Sequence, residues 1–313
     1  MNKFKLAVII PCYNVEKYLS KTIESVLNQT FKNFTIFLIN NGSSDGSLNV
    51  MKKYQQLDKR IKIIKYKKKT SRGKSINDLI RKINFKWFCL LDADDVMFKN
   101  KIKTQIKYLI DNPNIKVLSN LATYITYDEE KTYGKSITSI NHQYSAFELT
   151  DKKKNISIMI SGCFFDKKIF TSVGGFRQKF WPCDDTDLFN RISEKKKIIY
   201  VLPKILIKYR IHSNSVTTNN FFYSKLKNDW VNDCLIQRIN KDKELSFKKF
   251  CNKLSKRNIF LKAKNLFDDK CDYYFRKTII YIIDKKILKI AACLFLSFIN
   301  NPFRFFQKIY NRF

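Results

Sequence analysis

The sequence is poor in histidine, and its cysteines do not pair up along the chain. It has 2 histidines and 8 scattered cysteines in 313 residues, with no CxxC pair, which argues against a zinc site. We therefore expect reduced thiols and a cytoplasmic location. The N-terminal apolar run, Leu6 to Pro11, lacks a small-residue cleavage site, so no signal peptide is expected.

Acidic residues are also scarce. Asp and Glu number 27 against 61 Lys and Arg, a net charge of +34. Asn and Ile are abundant together with Lys, as AT-rich coding would give. Such compositional drift alone is one explanation of the positive charge. The other is attraction to anions such as nucleotide phosphates or anionic lipid. No helix-turn-helix, zinc-finger or RNA-binding signature is visible, so a nucleic-acid partner is not expected.

Strand-like apolar runs alternate with helical patterns in the first third of the chain. This alternation predicts an α/β fold, a mostly parallel sheet with helices on both faces. Ligands bind such sheets beyond the carboxyl ends of the strands. The predicted strands there are "LAVIIP", "FTIFLIN", "IKIIKY" and "WFCLLD".

The pattern loosens after a predicted helix at Lys101 to Asp111. "DDTDLFNRI" indicates another helix, and 127–143 cannot be assigned. From about Asn219 the chain is lysine-rich and helical, so we place a boundary between a domain at 1–218 and a helical basic tail at 219–313. Strands are predicted for "KVLSNLATYIT", "SIMISGCFF" and, as one or two strands, "IIYVLPKILIKYRIH".

Three carboxylates crowd together in "LLDADD", directly behind a predicted strand. Hard oxygen donors at a strand end suit Mg²⁺ or Mn²⁺ carrying substrate phosphates. A calcium EF-hand is excluded, because Met97 stands where its loop needs Gly and Lys103 where it needs Glu. The alternative is a solvated turn that caps the following helix.

Three further motifs have both a structural and a functional interpretation. The loop "NNGSSDGS" can offer backbone N–H groups and hydroxyls to a nucleotide, or can simply cap a helix. The acids of "DDTDLFNRI" can be helix caps, or one can act as a general base. In "YRIHSNSV", Arg210 and His212 can share one face of a strand, although a lone His is more often structural.

Taken in order, these motifs resemble the family 2 glycosyltransferases with the GT-A fold. The resemblance spans Lys5 to Thr217 and also uses "VIIPCYN", "GKSIN" and "GGF". It implies an inverting transferase that moves a hexosyl or N-acetylhexosaminyl group from a nucleotide sugar to an acceptor hydroxyl. It also implies dependence on Mn²⁺ or Mg²⁺, and a role in bacterial surface polysaccharide or lipid-linked glycan synthesis.

The resemblance also assigns residues. Asp185 matches the general base, and Asp184 stands where Glu is usual. Asp92, Ala93 and Asp94 match the DxD motif, with Asp92 on the nucleoside side of the donor. The implied metal ligands are Asp94, Asp95 and His212. The implied donor-binding residues are Pro11, Tyr13, Asn14, Asn41, Ser43, Lys74, Asn77, Asp92, Ala93 and Arg210.

One departure from the family pattern concerns the donor's base. The usual "DDGS" is replaced by amides at Asn40 and Asn41. An Asn side chain can accept from uracil N3–H and donate to O4, whereas guanine's two adjacent donors prefer a carboxylate. UDP is therefore favoured. A degenerate nucleotide-sugar-binding scaffold stays open, and a nucleotidyltransferase is disfavoured because "PCYNVEKY" is no Gly-rich phosphate loop.

The tail has a short apolar run, Ile287 to Ile299. It is shorter than the roughly 20 residues of a spanning helix. Aromatic and basic residues border it, which favours peripheral attachment to the anionic inner face of the cell membrane. The alternative is a helix packed on the domain. The bordering basic residues are Lys285, Lys286, Arg304, Lys308 and Arg312.

Overall fold

A computed structural model describes residues 4–125, 132–136, 146–196, 198–212, 220–283 and 286–310. Its nine strands form one sheet in the order β3-β2-β1-β4-β8-β6-β9-β5, with β7 paired to β6. The strands are β1 Leu6–Cys12, β2 Phe34–Asn40, β3 Ile61–Lys65, β4 Trp87–Leu90, β5 Val96–Met97, β6 Ile115–Ile125, β7 Thr132–Lys135, β8 Phe164–Asp166 and β9 Ile198–Arg210.

Helices cover both faces of this sheet. They are α1 Glu16–Leu27, α2 Ser47–Leu57, α3 Arg72–Lys82, α4 Lys101–Asp111, α5 Ala146–Asp151, α6 Lys167–Ser172, α7 Asp184–Glu194, α8 Phe221–Ile239, α9 Phe247–Ser255, α10 Ile259–Ile283, α11 Ile287–Asn300 and α12 Pro302–Tyr310. The predicted α/β architecture and helical C-terminal region are confirmed.

Successive side chains of β1 enter two separate apolar clusters, one on each face of the sheet. Val8 packs with α1, α2 and α4 on one face, while Ile9 packs with α3, α6 and α7 on the other. Because successive strand side chains point to opposite faces, an all-apolar strand must be covered on both sides. The continuous apolar run of β1 is therefore what fixes a three-layer arrangement.

The sheet is mixed. Strands β3, β2, β1 and β4 are parallel, but β8 runs antiparallel between β4 and β6. The strand predicted for "SIMISGCFF" was too long, since only Phe164–Asp166 is extended there. Gly162, at φ +75°, turns the chain, and a Cβ there would lie 2.5 Å from Cε of Lys101. The predicted "one or two strands" after α7 is one strand, β9.

The first two tail helices share a core with the preceding domain. Trp230 and Val231 of α8 and Phe250 of α9 pack against Phe180 and Cys183, just before α7. The residues on both sides of the predicted boundary at 219 are thus joined by buried apolar contacts. Of the tail's predicted basic residues, Lys285 and Arg312 lie outside the described residues.

Candidate active site

The carboxyl ends of β1, β2 and β4 bring the motif loops together, as expected for a sheet of this type. Asn14 follows β1 with φ +53°. Its N–H donates to Oγ of Ser43 over 3.1 Å, and its Oδ1 accepts from the Ser44 N–H over 2.9 Å. Asn14 and Ser43 therefore hold the end of β1 against the loop after β2.

The side-chain amides of Asn40 and Asn41 have different roles. Oδ1 of Asn40 accepts from the Ser43 N–H over 2.9 Å and so closes the turn. Oδ1 of Asn41 is buried and has no hydrogen-bond partner among the described residues. An unpaired buried acceptor costs roughly 1–3 kcal/mol. The Asn41 oxygen is thus suited to receive a ligand donor such as an imide N–H.

The acidic loop behind β4 is anchored through its backbone. The Asp92 N–H donates to Oγ of Ser161 over 3.3 Å, and the Ala93 carbonyl accepts from the Thr22 hydroxyl over 2.9 Å. These contacts leave the Asp92 carboxylate facing Arg72, whose Nη2 donates to Oδ1 over 2.9 Å. Burial raises the pKa of Asp92, and the Arg72 charge opposes that rise.

Asp94 and His212 form the second contact of this loop. Nε2 of His212 lies 3.0 Å from Oδ2 of Asp94, and the imidazole packs on the Tyr18 ring with centroids 5.1 Å apart. Nε of Arg210 donates to the Asp94 carbonyl over 2.8 Å. The end of β9 is thereby fixed beside the acidic loop.

Asp95 is more deeply buried than Asp92 and Asp94. Its side chain is fully buried, and Oδ1 accepts from the Arg210 N–H over 2.9 Å. Burial, reinforced by the nearby charge of Asp94, raises the pKa of Asp95 well above its ordinary value. This contact ties the acidic loop to β9.

A divalent ion would have two side-chain ligands here. Among the residues that the structure describes, no group of three or more His, Cys, Asp or Glu is arranged to hold a metal. Asp94 and His212 are nevertheless adjacent and partly exposed, at 26% and 18% of their side-chain surfaces. Mg²⁺ commonly takes one or two protein ligands and completes its shell with phosphate oxygens and water. The pair fits an ion of that kind.

The acids of α7 sit at its first turn, where the N-terminal helix dipole favours negative charge. Asp184 is buried, and burial raises its pKa to about 6. Asp185 is half-buried, and its Oδ1 accepts from the Thr186 N–H over 2.7 Å. Burial also raises the pKa of Asp185, while Arg72 opposes that shift.

Arg72 acts on both acidic groups. From the sequence it is expected only as one of three cations, with Lys74 and Arg210, that offset the charge of the departing diphosphate. Although burial opposes it, the charges of Asp92, Asp184 and Asp185 raise the pKa of Arg72. Its guanidinium carbon also lies 5.8 Å from the centroid of the Phe176 ring. The available signal was a basic residue directly before the "GKSIN" motif.

Of the remaining predicted donor-binding residues, some are exposed and others already bond to neighbouring residues of the chain. Tyr13 is exposed beyond Pro11, with Nζ of Lys69 4.6 Å from its ring centroid. Lys74 forms an ion pair with Asp78 on the next turn of α3. The Asn77 amide instead bonds to the backbone N–H and carbonyl of Phe176 over 2.9 and 2.8 Å.

A buried ion network supports the helix that carries Asp185, and sequence reasoning missed it. Asp187 is fully buried and forms ion pairs with Arg177 and Arg191. Nη1 of Arg238, from α8, lies 3.9 Å from Oδ1 of Asp187, and Glu244 bonds to both Arg177 and Arg238. Ion pairs therefore join α8, the first helix of the tail, to α7, the helix that carries Asp185.

Residues 7–173 match the family model described as Glycosyl transferase family 2. The chain is 28% identical over 240 residues to an uncharacterized glycosyltransferase of Methanocaldococcus jannaschii, covering 74% of this chain and 81% of that protein. It is 26% identical over 243 residues to the minor teichoic acid biosynthesis protein GgaA of Bacillus subtilis, covering 73% and 52% of the two chains.

The fold is similar to that of a solved bacterial protein. The S. aureus TarS 1-349 structure in complex with UDP-GlcNAc superimposes with a TM-score of 0.57. The match covers 96% of this chain and 92% of that chain at 14% sequence identity. At this identity the likeness shows a common GT-A fold.

Proposed function

Because the chain belongs to glycosyl transferase family 2, we propose that it is an inverting enzyme that moves a hexosyl or N-acetylhexosaminyl group from a UDP-sugar to an acceptor hydroxyl. One observation carries the proposal. Arg72 donates a hydrogen bond to Asp92, and its positive charge also acts on Asp184 and Asp185 at the start of α7. A donor-binding group and a proposed proton acceptor are therefore under the influence of one cation.

Asn41 supports the choice of a uridine donor. Its buried Oδ1 lacks a partner among the described residues, and uracil N3–H is a donor of matching chemistry. The exposed Tyr13 ring at the end of β1 offers a flat surface for the base. The related TarS structure contains UDP-GlcNAc, which agrees with a uridine nucleotide.

The diphosphate would lie between Arg72 and the Asp94–His212 pair. Asp94 and His212 would hold Mn²⁺ or Mg²⁺, which when bound offsets the charge of the departing diphosphate. Arg72 supplies a fixed positive charge at the same place, because its pKa is raised and it stays protonated at all relevant pH values. Arg210 contributes by holding the backbone of Asp94.

Asp185 is the proposed general base. Its carboxylate takes the proton of the acceptor hydroxyl as that oxygen bonds to the anomeric carbon. The bond from this carbon to the diphosphate oxygen breaks on the opposite face, and the diphosphate leaves with the electron pair. Burial raises the pKa of Asp185, which makes its carboxylate a stronger base than that of an exposed Asp.

The acceptor is proposed to be a growing cell-surface polysaccharide or lipid-linked glycan. The relative GgaA is named for minor teichoic acid biosynthesis, and glycans of that class expose many hydroxyl groups. We expect the acceptor pocket to be built from the loosely patterned middle of the chain, Tyr124 to Ile160. Within it, 126–131 and 137–145 lie outside the described residues.

A donor panel tests the proposal. Purified protein is incubated with UDP- and GDP-sugars in Mn²⁺, Mg²⁺ or EDTA, and NMR follows the anomeric configuration of the released or transferred sugar. Metal-dependent turnover of a UDP-sugar with inversion is expected. Metal-dependent binding without turnover would favour a catalytically inactive scaffold, and preferential use of GDP-mannose would overturn the argument from Asn41.

A further inference from the structure

Helix α11 presents an apolar face to solvent. Leu288, Phe295 and Ile299 are 88%, 62% and 55% exposed. Cys293 and Ser297 on the opposite face are buried against α10, where Oγ of Ser297 donates to the Cys271 carbonyl over 2.9 Å. The spacing of the exposed residues follows the helical repeat, so they form one continuous stripe.

Helix α12 continues this surface. Phe303, Phe306 and Tyr310 recur at positions i, i+3 and i+7 and are 81%, 59% and 85% exposed. The Phe298 and Phe306 rings have centroids 5.8 Å apart, which joins the α11 and α12 stripes at the bend between the helices. We call this combined surface, formed by Leu288, Phe295, Ile299, Phe303, Phe306 and Tyr310, the apolar ridge.

The apolar ridge is held in place from behind. Nε of Arg304 donates to Oδ1 of Asp272 on α10 over 2.7 Å, and Nζ of Lys308 lies 3.0 Å from the same oxygen. Nδ2 of Asn301 donates to Oδ1 of Asp268 over 2.6 Å. The predicted lipid-binding cations Arg304 and Lys308 thus face α10, and their role is to fix α12 with its aromatic residues outward.

The positive charge around the apolar ridge favours an anionic partner. Residues 286–310 contain no Asp or Glu, and Lys286 and Lys289 are exposed at the start of the α11 stripe. The whole chain carries +34, which repels a second copy of itself and attracts an anionic surface. No single helix among the described residues is long and apolar enough to cross a membrane. Helices α11 and α12 reach that length and apolarity only together, and the chain bends by 120° between them.

We infer that the apolar ridge docks on an anionic lipid bilayer, with α11 and α12 lying in the headgroup layer and the aromatic side chains entering the acyl boundary. Aromatic and aliphatic side chains flanked by Lys are the composition that such interfacial helices use. The inference does not depend on the proposed enzymatic function, because lipid binding requires neither donor nor acceptor.

Vesicle sedimentation tests the inference. The full-length protein is mixed at low salt with vesicles of equimolar phosphatidylcholine and phosphatidylglycerol, and separately with phosphatidylcholine alone. Sedimentation with the first only is expected. The triple variant Leu288→Ser, Phe303→Ser and Tyr310→Ser should lose at least tenfold in vesicle affinity, since each substitution removes apolar surface already exposed to water.

A matched variant controls for general loss of apolar surface. Leu57→Ser and Ile110→Ser change residues that are 68% and 48% exposed on the main domain, and vesicle binding should be retained. Full-length protein that stays in the supernatant overturns the inference. So does a stable dimer in analytical ultracentrifugation that the triple variant dissociates, because a second copy would then cover the ridge.

Discussion

Nη2 of Arg72 donates a hydrogen bond to Oδ1 of Asp92 over 2.9 Å. Although burial opposes it, the charges of Asp92 and of the two carboxylates at the start of α7 raise the pKa of this guanidinium. A single side chain therefore couples the donor loop to the proposed base. Because opposite charges stabilise each other's ionised forms, the charge state of Asp185 depends on Arg72.

The first prediction concerns the pH dependence of this coupling. Asp185 acts as a base only when deprotonated, so activity falls as the pH drops through its pKa. Burial raises that pKa and Arg72 lowers it. Arg72→Met removes the lowering charge, so the acidic limb of the kcat–pH profile should move to higher pH.

The control for this prediction lies on the same helix. Arg81 is 69% exposed at its side chain and pairs with Asp78 at 3.6 Å. Arg81→Met should leave the acidic limb where it is in the wild type. An unchanged limb in Arg72→Met would show that Arg72 does not act on the catalytic base.

The second prediction concerns Asp185 itself. Asp185→Asn retains the acceptor for the Thr186 N–H but cannot take a proton. Transfer should fall by about 10²–10⁴-fold, the usual contribution of a general base. UDP binding, measured by calorimetry with Mn²⁺, should stay near the wild-type value. Asp242→Asn, at an exposed position, is the matched control, and wild-type transfer by Asp185→Asn would remove Asp185 from the mechanism.

The third prediction tests base recognition by Asn41. Asn41→Ala removes the oxygen that lacks a partner in the described structure, and it should weaken UDP binding by about tenfold, as expected when a ligand N–H loses its acceptor. Asn41→Asp should improve GDP binding relative to UDP binding, since a carboxylate suits two adjacent donors. Asn49→Ala, exposed on α2, should change neither. Equal UDP affinity in Asn41→Ala and the wild type contradicts the assignment.

The fourth prediction concerns the tail helix α8. Trp230 is buried against Phe180, with ring centroids 4.4 Å apart, and its Nε1 donates to the Leu245 carbonyl. Trp230→Ala should lower the free energy of unfolding by about 3–5 kcal/mol. Denaturant unfolding followed by circular dichroism should show one transition at lower denaturant. Ile110→Ala, at a half-exposed site, provides the comparison, and a separate early transition of the tail would mean that α8 folds independently.

Much of the first half of the fold follows from local sequence pattern. The bounds predicted for β2 and for the helix after the acidic loop agree with Phe34–Asn40 and Lys101–Asp111. Strong alternation of apolar runs and amphipathic helices determines such elements directly. The strand at "SIMISGCFF" was overestimated because the same apolar residues that suit a strand also suit a buried turn, here formed around Gly162 beside Lys101.

Local sequence pattern therefore predicts the α/β class, the carboxyl ends of the strands as the place of the motifs and the acidic groups found there, since strand ends and turn residues are local features. It is the packing of distant elements that bonds Arg72 to Asp92 while its charge acts on Asp185, and that brings Arg238 of α8 to the ion network at Asp187. The same packing turns Arg304 and Lys308 inward to Asp272. Each of these relationships joins residues far apart in the chain, and the partner of a long, flexible cation depends on packing that no local pattern encodes.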